Sequence, residues 1–391
     1  MTSAELLFAC LRYSVCGSEL REEEKAALSG PSLATLYRLS ASHDLAHLVC
    51  DALQKNDLLP QNEIGQAFQK QKDLAVYRYI QQTAAFEEIS RVFEEAGVVY
   101  VPLKGIVIRQ YYPEPWMRTS CDLDILVHEE DLERASELAI DRLGYKRDVH
   151  DGYHDISLYS PAGVHLELHF QIKENMKTLD TVLACVWENV QPVEGSAYRS
   201  AMSGEFFMFY HLAHMSYHFV SGGCGLRAFV DCHLLSEKQP CDQQHLEALL
   251  EAGGIRKFAD TAFSYADAWL GCHRFGRSKI DASVQKYILN GGMYGTLENS
   301  ISVQQAQRGG RARNILNRLW IPYEALQIAY GAPADRKYMI PLYQVKRWTQ
   351  LVFQKKRLGH GVKEIMRNVT TSDGDRSEIA QILDHLGLTG R

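Results

Sequence analysis

Two aspartates stand one residue apart in "RTSCDLDILV", a stretch that otherwise has the composition of a buried strand. Because side chains two residues apart in a strand point to the same face, Asp122 and Asp124 project together while Leu123 and Ile125 face the core. Two carboxylates this close repel each other unless a cation lies between them. Hard divalent cations take oxygen ligands, commonly one or two carboxylates together with substrate phosphates. The spacing therefore predicts a site for Mg²⁺ or Mn²⁺.

A third carboxylate lies on a later predicted strand, "VHLELHF". His165, Glu167 and His169 share one face of this strand, and its other face is apolar throughout. If the two strands are neighbours, Glu167 meets Asp122 and Asp124 in a triad able to hold two metal ions, an arrangement suited to phosphoryl transfer. His169 is interpreted either as a hydrogen-bonding neighbour of these acids or as a direct participant in the site.

A lysine and a glycine follow the first short β-branched run, in "VVYVPLKGIVI". A glycine at a strand-to-helix turn lets backbone N–H groups approach phosphates, and Lys104 beside Gly105 adds a point charge. The pair alone is a weak signal, but its place one strand before Asp-x-Asp strengthens it. Arg118, four residues before Asp122, is expected either to meet a phosphate or to form a structural salt bridge.

The elements that position these residues follow from the hydrophobic pattern. Residues 1–95 have apolar side chains at three- and four-residue spacing, which predicts a run of helices. Residues 96–175 read as strand, helix, strand, helix, strand, strand, with a turn at "PAG" between the last two. Residues 176–391 read as helical again. The expected fold is α+β: a small mixed-sheet core flanked by N-terminal helices and a larger C-terminal helical domain.

One predicted C-terminal helix, "SGEFFMFYHLAHMSYHFV", is apolar all round and carries three histidines. His211, His214 and His218 share a face, which fits a zinc site, a cleft wall with satisfied core histidines, or contact with a nucleotide. Arg227 and Asp231, four residues apart on the next predicted helix, are expected to form an ion pair. We expect a cleft between the small core and these helices, near residues 204–235.

The composition excludes several classes of protein. A net charge of −6 over 391 residues does not indicate a general nucleic-acid binder, although the locally basic segment 308–367 could bind RNA or be an ordinary solvated surface. The nine cysteines form no CxxC pair, and their number is odd. With no signal-peptide pattern and no long apolar run, the chain is expected to be a soluble cytoplasmic protein without membrane association.

The motifs together resemble those of the nucleotidyltransferase superfamily, which has the polymerase-beta-like fold. The chain is similar in particular to a subgroup of largely uncharacterised bacterial nucleotidyltransferases, in which "LKG" precedes an aromatic-proline segment and Arg-x-x-x-Asp-x-Asp. The matching stretch here is "VPLKGIVIRQYYPEPWMRTSCDLDILV". Further matches are Glu167 with His169, the helical "HLAH" followed by Arg227 and Asp231, and "PLYQVKRW". The turn departs from the superfamily's Gly-Ser or Gly-Gly, and the third acid is Glu instead of Asp.

This resemblance implies metal-dependent transfer of a nucleoside monophosphate, AMP from ATP, to an acceptor, with release of pyrophosphate. The catalytic and metal-binding residues would be Asp122, Asp124 and Glu167. Glu167 would also help to deprotonate the acceptor. The residues expected at the nucleotide are Lys104, Gly105, Arg118, His169 and His214. The acceptor, a small molecule, RNA or a protein, is left open.

Two other functions remain open from the sequence. The unusual turn and third acid also fit a non-catalytic protein that binds a nucleotide or a partner on a degenerate transferase fold. A DxD glycosyltransferase using a sugar nucleotide is a weaker hypothesis, because such chains usually show a longer alternating strand and helix series before their DxD.

Overall fold

The computed structural model describes residues 1–30, 32–148, 155–271, 280–293, 337–353 and 373–389, together with isolated positions between 295 and 326. Five helices open the chain, as the sequence predicts: α1 (Ser3–Cys16), α2 (Glu22–Leu28), α3 (Leu33–Ser42), α4 (Ala46–Lys55) and α5 (Glu63–Ala96). Thr2 and Glu5 form a reciprocal capping box at the start of α1. Asn62 caps α5, and Gly97 ends it in the left-handed conformation.

A mixed five-stranded sheet follows the long helix. Its strands are β1 (Tyr100–Pro102), β2 (Asp122–Val127), β3 (Lys146–Arg147), β4 (Asp155–Tyr159) and β5 (His165–His169), in the order β1-β2-β5-β4-β3. Strands β2 and β5 are parallel, and the other neighbours are antiparallel. The helices α6 (Lys104–Ile108) and α7 (Leu132–Leu143) connect the first strands. The predicted α+β fold is confirmed, and the predicted series gains only the short β3.

The two faces of the sheet belong to different hydrophobic clusters. Leu123, Ile125 and Leu166 point to the face covered by the C-terminal half of α5 and by α7. Val101 and Leu126, on the opposite face, join a larger cluster of buried side chains from the N-terminal and C-terminal helices. The acids of β2 and β5 therefore lie on the face that is partly buried by this larger cluster. The division of the chain at residues 95 and 175 stays a prediction.

Six helices follow the sheet between residues 177 and 291: α8 (Lys177–Leu183), α9 (Gly204–Ser221), α10 (Leu226–Lys238), α11 (Gln243–Ala252), α12 (Arg256–Leu270) and α13 (Ala282–Gly291). The prediction that residues 176–391 are helical is wrong at one place, where β6 (Val190–Pro192) pairs with β7 (Ser200–Met202). This hairpin adjoins β1, since the Tyr100 N–H donates to the Tyr198 carbonyl at 3.1 Å. Strands of three residues are too short to show an alternating pattern.

The last described helices are α14 (Ile340–Phe353) and α15 (Asp373–His385). Most of the basic segment 308–367 lies outside the described residues, so its proposed contact with nucleic acid stays a prediction. Among the described residues, no helix is both long and apolar enough to cross a membrane.

Candidate active site

The predicted acids meet because β2 and β5 are parallel neighbours in a fixed register. Asp122 lies opposite His165, and Asp124 lies opposite Glu167. His169 follows two positions further along β5 on the same face, opposite Leu126. The sequence predicted that these two strands would be neighbours, and they are, although Asp124 and Glu167 lie 43 residues apart in the chain.

Ligand atoms of these residues form two overlapping groups, in each of which all atoms lie within 4.8 Å of one another. One group is Asp122, His165 and Glu167, and the other is Asp124, Glu167 and His169. Glu167 belongs to both. Carboxylate oxygens are the ligands that suit Mg²⁺ or Mn²⁺, so the three acids fit the metal that the sequence predicts. His165 was not predicted as a site residue, although its place two residues before Glu167 put it on the same face.

Asp124 is a buried carboxylate held by two cations. The residue is 2% exposed. Lys104 Nζ donates to Asp124 Oδ1 at 2.8 Å, and His169 Nε2 lies 3.0 Å from the same oxygen. Burial opposes ionisation, but the charge of Lys104 and the His169 hydrogen bond hold the Asp124 pKa well below its usual range. The carboxylate therefore remains charged inside the protein.

The pKa of His169 shifts in the opposite direction. Burial works to lower it, but the hydrogen bonds to Asp124 and Glu167 raise it to about 9. The His169 Nε2 to Glu167 Oε2 distance is 3.4 Å. His169 is therefore a positively charged neighbour of both acids at neutral pH when no metal is bound.

Asp122 lies in a different environment from Asp124. Burial raises its pKa, and repulsion from Asp124 adds to the rise, although Lys104 acts against it. Ser120 Oγ donates a hydrogen bond to Asp122 Oδ1 at 3.0 Å and orients the carboxylate. Two aspartates on one face of one strand thus have pKa values displaced in opposite directions.

The Lys-Gly turn brings Lys104 to Asp124 and leaves no room beside Gly105. Lys104 has a φ of +47°, in the left-handed region that residues other than glycine rarely adopt. A Cβ on Gly105 would lie 2.7 Å from Ser120 Oγ and 2.9 Å from Ser120 Cβ. Glycine is therefore required because α6 begins directly against residues 118–121, the approach to β2.

Arg118 forms a buried structural ion pair. Its Nε donates to Asp231 Oδ1 at 2.9 Å, and its Nη2 lies 2.9 Å from Asp231 Oδ2. Tyr112 also donates to Asp231, at 2.7 Å. The expected ion pair of Arg227 with Asp231 is wrong, because Arg227 bonds to Asp44 at 2.6 Å. The sequence could not predict either pair, because Asp231 lies 113 residues from Arg118 and Asp44 lies 183 residues from Arg227.

A cavity of about 260 Å³ lies between α6, the approach to β2, α9 and α10. It adjoins the acid cluster, which is the group of Asp122, Asp124 and Glu167. Lys104, Gly105, Arg118 and Asp122 line it on the side of the small core. The cleft predicted near residues 204–235 is present at this place. Asp122 is the member of the acid cluster that reaches the cavity wall.

The three histidines of α9 all line this cavity and have different partners. His211 Nε2 lies 3.0 Å from the Ala228 carbonyl of α10. His214 Nδ1 lies 2.8 Å from Oε1 of the buried Glu174, and its Nε2 lies 3.0 Å from Nε2 of His218. Burial lowers the pKa of His218 to about 3, with help from the neighbouring His214. Glu174, which no motif indicated, thus orients His214 in the cavity wall.

The Asp-x-Asp strand, the acid on the adjoining parallel strand and the preceding glycine turn lie together, as the resemblance to nucleotidyltransferases implies. A family described as an uncharacterised nucleotidyltransferase matches residues 31–271, more than half of the chain, and the chain belongs to this family. None of the curated proteins compared with the chain matches it.

Proposed function

We propose that the protein is a metal-dependent nucleotidyltransferase that transfers AMP from ATP to an acceptor hydroxyl. The observation that supports this most directly is the pair of overlapping ligand groups on β2 and β5, which share Glu167. In the transfer, the acceptor oxygen forms a bond to the α-phosphorus, and the bond from that phosphorus to the bridging oxygen breaks. The electron pair leaves with pyrophosphate, and the acceptor proton passes to Glu167.

The carboxylates of Asp122, Asp124 and Glu167 would hold Mg²⁺ or Mn²⁺. A divalent ion at such a site neutralises phosphate charge and stabilises in-line displacement. Lys104, whose ammonium group already lies in the site, is proposed to attract the triphosphate together with the backbone at Gly105. His169 keeps Asp124 oriented through its hydrogen bond. His214 is proposed to contact the substrate from the cavity wall.

For Arg118, the contacts favour the structural alternative over direct phosphate contact. Asp231 occupies its Nε and Nη2, and its Nη1 donates to the Thr119 carbonyl. We therefore assign Arg118 the role of holding the approach to β2 against α10.

Calorimetric binding of ATP with Mg²⁺ tests the proposal. The Asp122→Asn/Asp124→Asn variant should lose binding by at least about tenfold, since it removes two carboxylate ligands with little change in shape. The matched control is Glu129→Gln/Glu130→Gln, which removes the same charge at two exposed positions beyond the end of β2. Equal binding by the site variant and the control would contradict the metal clamp.

The non-catalytic alternative is favoured by one observation: Lys104 and His169 already balance the charge of Asp124 without a metal. It predicts ATP binding that does not depend on Mg²⁺. The same titration in EDTA distinguishes the two functions, because only the transferase requires the divalent ion.

A further inference from the structure

Helix α9 turns one stripe of side chains toward the cavity. The positions recur at helical spacing and combine aromatic, sulfur-containing and imidazole groups: Phe207, Tyr210, His211, His214, Met215 and His218. The small core closes the opposite side with Lys104 and Asp122. A molecule in this cavity would therefore lie between the acid cluster and α9.

Tyr210 is a buried tyrosine in the wall of this cavity. The residue is 3% exposed, and among the described residues its hydroxyl makes no hydrogen bond. Tyr112 donates to Asp231, and Tyr287 donates to the Phe219 carbonyl. The hydroxyl of the buried Tyr145 also has no partner among the described residues, but Tyr145 does not line the cavity. Since buried hydroxyl groups nearly always have a partner, Tyr210 is placed to bond a ligand.

The neighbouring polar wall is held in position from behind. Glu174 is 6% exposed and fixes His214 through Nδ1, and His214 in turn contacts His218. Both ring nitrogens of His214 are thus engaged, so the imidazole pair forms a polar wall of fixed orientation beside the Tyr210 hydroxyl. The remaining lining, which includes Ile108, Phe207 and Met215, is apolar. Such a mixture recognises a small molecule with both polar and apolar surface.

The size of the cavity limits the occupant. Pockets that enclose drug-sized ligands are roughly 300–1,000 Å³, and this one is about 260 Å³. This volume matches a molecule smaller than a whole nucleoside triphosphate. Because Asp122 lines it, a hydroxyl group bound inside would lie next to the acids.

We propose that this cavity is the acceptor subsite and that the acceptor is a small hydroxyl-bearing molecule, about the size of a monosaccharide, bonded by Tyr210 and packed against the wall that His214 and His218 form. This assignment rests on the proposed transferase function, and it selects one of the three acceptor classes that the sequence left open.

The test uses ATP labelled at the α-phosphate, Mg²⁺ and a cell extract separated into a low-mass filtrate, RNA and protein. The label should be transferred to the low-mass fraction. Ala228→Leu, which fills the cavity, should abolish this transfer, and Tyr210→Phe should lower it about tenfold by removing one hydrogen bond. ATP binding should remain within about twofold in both variants. The matched controls are Ala34→Leu and Tyr77→Phe at exposed helix positions.

Three results would overturn the acceptor subsite: label on RNA or protein, no label in any fraction, or undiminished transfer by Ala228→Leu. Loss of ATP binding in Ala228→Leu would also overturn it, because the cavity would then hold the nucleotide. Failure of the transferase function itself is recognised separately, by ATP binding that does not respond to Mg²⁺ or to the Asp122→Asn/Asp124→Asn change.

Discussion

Asp122 and Asp124 are separated by one residue, yet the protein shifts the pKa values of their carboxyl groups in opposite directions. Asp124 is ionised because Lys104 and His169 both reach its Oδ1. Among the described residues Asp122 has no such cation in direct contact, and burial raises its pKa. A cation that enters the site would therefore compete with Lys104 and His169 at Asp124, and it would stabilise the charged form of Asp122.

The raised pKa of His169 predicts a pH-dependent stability for the metal-free protein. A group whose pKa is higher in the folded state stabilises that state fully below its unfolded pKa, here near 6.5, and loses the effect as the pH rises through about 9. The free energy of unfolding should therefore fall between these values, by up to about 1.4 kcal/mol per pH unit. His169→Gln should lack this fall.

Urea denaturation in EDTA at a series of pH values measures the effect as the difference between the two proteins. His245→Gln, at an exposed position of α11, is the control and should keep the fall. Parallel curves for the wild type and His169→Gln would show that His169 is not charged in the folded protein.

At the scale of elements, the critical contact is that between the first turn of α6 and the approach to β2. Gly105 lies against Ser120, and Ser120 orients Asp122 by a hydrogen bond. Gln82 of α5 supports the same approach from the other side, donating to the Ser120 carbonyl at 3.1 Å. A helix of five residues thus sets the position of a carboxylate on a neighbouring strand.

Gly105→Ala should destabilise the protein by about 1–3 kcal/mol, the usual cost of overpacking a close contact. It should also weaken ATP–Mg²⁺ binding, because the new Cβ displaces Ser120 and with it the hydrogen bond to Asp122. Thermal or urea denaturation and calorimetry measure the two effects.

A second substitution, Ser120→Gly, tests whether the cost of Gly105→Ala comes from the contact with Ser120. In a Ser120→Gly background, both atoms that lie within 3 Å of the added Cβ are gone, so Gly105→Ala should there cost little. Gly30→Ala is a matched control, since its Cβ would meet only the Ala27 carbonyl oxygen at 3.5 Å. An equal cost in both backgrounds would mean that the strain arises elsewhere.

The sequence predicted the elements whose signal is local. Strand alternation placed Asp122, Asp124 and Glu167 on the correct faces, and helical spacing placed the histidines of α9 on one stripe. Contacts between distant segments carry no such signal. The partners of Arg118 and Arg227, the support of Asp122 by Ser120 and the role of Glu174 depend on tertiary packing. The strands of two or three residues, β3, β6 and β7, could not be predicted for the same reason, because they are defined by their pairing and not by their composition.

At the scale of the molecule, one buried and one partly buried ion pair join parts of the chain around the site. Arg118, before β2, holds Asp231 of α10, and Asp231 is 1% exposed. Arg227, also of α10, bonds to Asp44 in the connection between α3 and α4. Helix α10 therefore links the sheet core with the N-terminal helices through its charged residues.

Arg118→Met should destabilise the protein by about 3–5 kcal/mol, because it leaves the carboxylate of Asp231 buried without a cation. The double variant Arg118→Met/Asp231→Leu should recover a large part of the loss, since an apolar pair of similar volume avoids the unpaired charge. Chemical denaturation of the two single variants and the double variant measures the coupling.

The exposed pair Lys25 and Glu22 supplies the comparison. Lys25→Met should cost less than about 1 kcal/mol, as is usual for a surface ion pair. Additive losses in the Arg118 and Asp231 variants would contradict a buried pair that acts as a unit.

The alternation along β2 and β5 has a consequence for how this protein can change over generations. The apolar positions, such as Leu123, Ile125 and Leu166, are required for folding whether or not the site works. Asp122 and Glu167 are not, because many polar residues are tolerated on a partly open strand face. A lineage that lost its activity would keep the first set and let the second drift. The carboxylates of related chains therefore offer a record of catalysis that is separate from the record of the fold.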